Sequence, residues 1–188
     1  MKIFISILLF IFSFQSSICF SDTEGEIWKK LKSGGLVVLM RHASVNKTNN
    51  PLLRDPSCTE ERMLSEKGKK EALKIGEKFS AKGVSIDKVL ASPYCRTTET
   101  AKNAFGRSQP TEFLSVLEAF PQKQAEAYTE QLMKKIGSYS GSGNLVLVTH
   151  GPNINAVSFD PVEIGAFLVL RPMGGQEFEE IGKINFAY

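Results

Sequence analysis

Two apolar runs that each end on a histidine motif constrain this chain more than any other feature. Leu36-Val37-Val38-Leu39-Met40 runs straight into Arg41-His42, and Leu145-Val146-Leu147-Val148-Thr149 runs straight into His150. Continuous apolar runs of this length read as strands buried on both faces, the kind found in parallel sheets. Helical patterns separate them. Thr23-Glu24-Gly25-Glu26 has a capping-box pattern and opens an amphipathic segment with Ile27, Trp28 and Leu31 on one side, stopped by Gly34 and Gly35. Ser65 reads as the N-cap of a helix over 66–82, with Ala72, Ile75 and Phe79 at helical spacing and Gly83 at its end. Lys88–Ala91 reads as a strand, Arg96–Phe105 as a helix closed by Gly106, and Phe113–Leu117 as a further strand. Pro121 suits the first turn of a helix running to about Ile136. A short helix is expected near Asn153, and strands over Ala166–Arg171 and Glu177–Ile184 close the chain. Strand and helix alternate, which predicts an α/β domain: a three-layer sandwich with a mainly parallel central sheet flanked by helices.

The N-terminus differs in kind. Lys2 precedes an apolar stretch from Ile3 to Phe12, and polar Ser13–Ser17 follow. A basic start, a short apolar core and a small-residue exit describe a secretory signal peptide over 1–21, cleaved after Cys19 or after Ser21. A spanning helix needs about 20 apolar residues, so an uncleaved anchor or a lipoprotein fits less well. The remaining 22–188 form a single domain, expected to be exported to the periplasm or secreted, with no stable membrane span once the leader is removed. Cleavage leaves Cys58 and Cys95, which in an oxidising compartment either form one disulfide or stay as two thiols. The net charge of +3 comes from scattered basic residues and excludes a nucleic-acid-binding face. The run Lys67-Gly68-Lys69-Lys70, flanked by Glu66 and Glu71, reads as a solvated helix face.

In a parallel sheet, ligands bind beyond the carboxyl ends of the strands. Three motifs stand there: Arg41-His42-Ala43, Ser92-Pro93-Tyr94-Cys95-Arg96 and His150-Gly151-Pro152. His42 and His150 are the only two histidines in the chain. Two guanidinium groups hold a phosphoryl group by forked, permanently charged donors. A neutral imidazole is a competent nucleophile toward phosphorus, and a second imidazole can donate to the oxygens as charge builds. This set needs no metal, and no His-Glu-x-x-His, paired Cys-x-x-Cys or Walker loop is present in the sequence.

Together with Thr97-Thr98-Glu99-Thr100-Ala101 after Arg96, and Arg62, Leu64, Ser65 and Gly68 before the first long helix, the three motifs resemble the histidine phosphatase (phosphoglycerate mutase-like) superfamily. The chain is similar to its short exported bacterial members. The resemblance implies a metal-independent phosphomonoesterase of the histidine acid phosphatase type, without a cofactor. His42 would be the nucleophile that becomes phosphorylated, and Arg41, Arg96 and His150 would form the phosphate pocket with it. The family's proton donor maps most naturally to Glu118, with Asp160 and Glu163 as further candidates. Ala43 stands where the family most often has Gly. Ser44 and Asn46 could touch a phosphoryl oxygen, and Arg54 and Arg62 could line the mouth of the pocket. An envelope glycan or small sugar phosphate is the expected partner. A phosphohistidine-protein phosphatase, a mutase and a non-catalytic phosphate-binding module are the alternatives.

Overall fold

The computed structural model describes residues 23–47 and 50–186. The signal peptide expected over 1–21 lies outside the described residues. Thr23 caps helix α1 (Glu24–Ser33) through the reciprocal bonds of a capping box, as its spacing predicts. Strand β1 (Val37–Arg41) leads to α2 (Glu66–Ala81), whose cap is the Ser65 hydroxyl accepting from the Gly68 N–H. Then follow β2 (Ile86–Ala91), α3 (Cys95–Phe105), the two-residue β3 (Gln109–Pro110) and two 3-10 turns, Glu112–Leu114 and Leu117–Ala119. Helix α4 (Gln122–Gly137), β4 (Asn144–Thr149), α5 (Gly151–Asn155), β5 (Phe167–Gly174) and β6 (Glu177–Ile184) complete the chain.

The strands form one six-stranded sheet in the order β3-β2-β4-β1-β5-β6. The first four are mutually parallel, and β5 and β6 add on antiparallel. Side chains alternate across the sheet, so each central strand feeds two cores. Val38, Met40, Val146 and Val148 pack under α1, α2 and α3 with Trp28, Ile75 and Phe79. Val37, Leu39, Leu145 and Leu147 pack under α4 and α5 with Leu132, Ile136 and Ile154. The result is the expected three-layer α/β sandwich. Trp28, Phe79 and Phe167 meet edge-on or tilted at 5.2–5.9 Å between centroids, a geometry that adds to their burial. Each fully buried Leu or Ile here is worth about 2–5 kcal/mol against Ala. Among the described residues, no helix is long and apolar enough to cross a membrane.

One expected strand is corrected. Phe113–Leu117 is not a strand but sits within the two 3-10 turns and the link between them. The sheet edge is already taken by β3, where Thr111 N–H still donates to Ala91 O at 2.8 Å. The chain then folds over the end of the sheet. There its carbonyls find side-chain partners instead of a ladder: Thr149 Oγ1 donates to Leu114 O, and Asn153 Nδ2 to Ser115 O, both at 2.8 Å.

Candidate active site

The pairing register brings the three motifs side by side. Arg41 pairs with Thr149, and Ala91 with Val148. The residues that follow, His42, His150 and Ser92, therefore leave three adjacent central strands at the same end, at strand spacing of about 4.8 Å. The ladder continues one step into the site: His42 N–H donates to Thr149 O at 3.1 Å, and Ser92 N–H to Val148 O at 2.9 Å. The two imidazoles meet at 5.5 Å between ring centres.

His42 is 7% exposed, and its Nδ1 lies 2.9 Å from Ala43 O. A carbonyl only accepts, so Nδ1 carries the proton and the lone pair sits on Nε2. Burial, with the positive charges of Arg96, Arg41 and Arg62, outweighs the bond to Ala43 and pushes the imidazole pKa down to about 3. His42 is thus neutral and nucleophilic at ordinary pH. His150 is held lower than usual by burial first, then by Arg96, His42 and Arg41. Its Nε2 lies 2.8 Å from Ser92 Oγ, while its buried Nδ1 has no protein partner.

Arg96 is 3% exposed. Its guanidinium stacks 4.5 Å over the Tyr94 ring and faces Glu61 at 3.6 Å. Burial lowers its pKa to about 10, partly offset by the Glu61 charge, so it stays cationic at neutral pH. Arg41 anchors one arm by donating from Nη1 to Val162 O at 3.0 Å. Arg41 Nε and Arg96 Nε and Nη1 are buried without a hydrogen-bonding acceptor. Buried donors of this kind are rare and costly when unmet, and an oxyanion is the kind of group that would satisfy them.

The loop carrying the first motif is fastened from both sides. Ala43 N–H donates to Thr100 Oγ1 at 3.1 Å, and Ser44 gives its N–H and its hydroxyl to the two oxygens of buried Glu71. Gly68 lets α2 come this close, since a Cβ there would sit 1.9 Å from Ser44 O. The second motif is fastened by a disulfide: Cys58 and Cys95 are joined, with Cα atoms 5.9 Å apart. The bond ties the 50–63 loop to the first residue of α3, beside Arg96. Glu61 of that loop accepts from Cys95 N–H at 2.7 Å and from Asp55 N–H at 3.2 Å.

The other sequence candidates divide. Arg62 is half-buried, with a buried Nε lacking a partner, and its charge acts on both His42 and Arg96. Arg54 is turned to Glu112 in a two-pronged ion pair at 3.0 Å. Ser44 is committed to Glu71, and Asn46 Nδ2 reaches Leu64 O at 3.5 Å. Glu118 is exposed on the second 3-10 turn, which packs against α5 just beyond His150. Asp160 is exposed and lies 3.7 Å from Lys183, and Glu163 is exposed in the same loop. Two residues escape a reading of the sequence. Glu61 is one acid in the run Thr59-Glu60-Glu61-Arg62, and only the fold separates it from Glu60. Ser92 stands at a strand end, yet nothing in its type announces a histidine partner. Among the described residues, no cluster of three or more metal-ligating side chains occurs.

Residues 37–120 match the family model of the histidine phosphatase superfamily (branch 1). No match was found among curated protein sequences. Solved structures share the fold at low identity. The protein histidine phosphatase SixA, complexed with tungstate, is 14% identical with a TM-score of 0.58, covering 79% of this chain and 96% of its own. YhfR of Bacillus stearothermophilus is 15% identical with a TM-score of 0.59, covering 77% of this chain and 94% of its own. A phosphoserine phosphatase of Entamoeba histolytica, in complex with 3-phosphoglyceric acid, is 14% identical with a TM-score of 0.58, covering 80% and 97%. Residues 37–120, which hold the first and second motifs, are thus similar to the histidine phosphatase superfamily, and the solved structures share the fold.

Proposed function

We propose that this chain is a metal-independent phosphomonoesterase that works through a phosphohistidine on His42. One observation carries the reading: a neutral His42 with its lone pair on Nε2 meets His150 at 5.5 Å between ring centres, in reach of the charges of Arg41 and Arg96, whose buried Nε atoms have no hydrogen-bond acceptor. In the first step Nε2 forms a bond to phosphorus as the bond to the leaving oxygen breaks. In this proposal that oxygen takes a proton from Glu118, on the 3-10 turn that packs against α5. In the second step Glu118 takes a proton from water, the hydroxide attacks phosphorus, and His42 and inorganic phosphate are released. The cationic pocket stabilises charge on the equatorial oxygens throughout, which is the main demand of phosphoryl transfer.

We propose an exported enzyme whose residues 1–21 direct it across a membrane, acting on a phosphorylated sugar or glycan of the cell envelope. A second reading, hydrolysis of phosphohistidine on a protein, draws support from the likeness to SixA, described as a protein histidine phosphatase. A phosphatase screen of the 22–188 protein over sugar phosphates, phosphohistidine peptides and aryl phosphates separates the two. The His42→Ala protein should turn over none of them. Acid-labile, base-stable labelling of the wild-type protein by substrate phosphate should vanish in the variant. Undiminished turnover by His42→Ala would end the proposal.

A further inference from the structure

Ser92 has no role in the mechanism above, yet it is completely buried and touches one of its two imidazoles. Its backbone is fixed on both sides: N–H to Val148 O at 2.9 Å, and carbonyl accepting from Thr97 Oγ1 at 2.8 Å. Its Oγ lies 2.8 Å from His150 Nε2 and accepts from Tyr94 N–H at 3.4 Å. The His150 ring cannot swing away from this contact. Tyr94 meets it edge-on at 5.2 Å between centroids, and His42 at 5.5 Å.

A hydroxyl has one proton to give. Tyr94 N–H takes one lone pair of Ser92 Oγ, and among the described residues His150 Nε2 is the one acceptor within reach of the serine proton. We infer that Ser92 is a positioning residue that donates its hydroxyl proton to His150 Nε2 and so fixes the proton of the neutral ring on Nδ1, the nitrogen that meets the phosphoryl group. The inference rests on the proposed phosphate site. Its physical basis is the choice between two tautomers of a neutral ring. With the proton on Nδ1, the buried and otherwise unpartnered nitrogen is a donor toward an anion held by Arg41 and Arg96. With the proton on Nε2, a lone pair faces that anion, and the low local dielectric makes the repulsion costly. Ser92 thereby does for His150 what Ala43 O does for His42: each ring's inner bond decides what its outer nitrogen can do.

Imidazole nitrogen spectra of the 22–188 protein labelled with 15N-histidine and bound to vanadate test this. The chain has two histidines, and a His42→Asn protein assigns the remaining signal to His150. His150 is expected in the Nδ1–H form in the wild-type protein and to shift largely to Nε2–H in Ser92→Ala. For the same variant, kcat on an aryl phosphate should fall about tenfold while KM stays within about twofold, as outer partners of an active histidine usually behave. Ser92→Cys, with a weaker donor, should fall between the two in both readouts. It also serves should Ser92→Ala not fold. An Nε2–H signal for His150 in the wild-type complex overturns the inference, as does a Ser92→Ala protein with unchanged kcat. If the wild-type protein hydrolyses no phosphate ester, the proposed function fails, while the tautomer in the vanadate complex still decides the role of Ser92.

Discussion

The reactivity proposed for His42 comes from what surrounds it rather than from its own chemistry. The carbonyl of Ala43 holds the proton on Nδ1, and burial with three nearby guanidinium charges keeps a second proton off. The sign of the pH dependence follows. A histidine lowered to about 3 is neutral at every pH above that, and an arginine lowered to about 10 is charged at every pH below that. The kcat/KM profile, which reports the free enzyme, should show no limb from His42 near its ordinary 6.5. An acid limb at 6.5 that persists after allowing for the substrate's own ionisation would mean that His42 is not held neutral. Arg96→Ala and His150→Ala each remove a preorganised donor and should lower kcat by about a hundredfold or more. Steady-state rates within tenfold of wild type for either would count against the pocket. At this scale the sequence was informative where chemistry is rare: two histidines in 188 residues, each at a strand end, stand out at once. Glu61 does not, because a buried carboxylate and a solvated one are spelled alike.

Between elements, the decisive contact is the 50–63 loop against the start of α3. The Cys58–Cys95 bond closes a segment of 37 residues, which on chain entropy is worth about 4 kcal/mol. Glu61 is carried on that loop and reaches both Cys95 N–H and Arg96. A Cys58→Ser, Cys95→Ser protein should lose about 3–4 kcal/mol in urea unfolding and should also bind vanadate more weakly, because the loop that seats Arg96 is freed. Equal urea midpoints for the two proteins would refute the first half, and equal vanadate affinity the second. Periodicity made α1 and α2 legible, since each shows its apolar face at helical spacing, and Gly106 and Pro121 marked the end of α3 and the start of α4. The stretch Phe113–Leu117 misled because its short, mostly apolar run resembles a strand, while Thr149 and Asn153 claim its carbonyls. Those partners are more than 30 residues away in the chain, beyond the reach of any local pattern.

For the molecule as a whole, the parallel core β2-β4-β1 turns three distant motifs into one site, and the segment entering antiparallel β5 braces the first of them, with Gly165 N–H donating to His42 O at 3.1 Å. In the proposed mechanism two imidazoles and two guanidinium groups supply the nucleophile and the charge stabilisation without a metal. Activity should therefore survive prolonged treatment with EDTA and fall on addition of vanadate; loss with the chelator and recovery with a divalent cation would point to a different chemistry. The α/β class and the strand ends that carry His42 and His150 follow from sequence alone, because buried strands have a narrow choice of residue types. The tertiary structure alone decided the rest: which ring nitrogen of His42 is free, that Ser92 and Glu61 stand behind His150 and Arg96, and that Cys58 reaches Cys95. Those facts depend on distances between segments far apart in the chain, and such distances exist only once the sheet has closed its register.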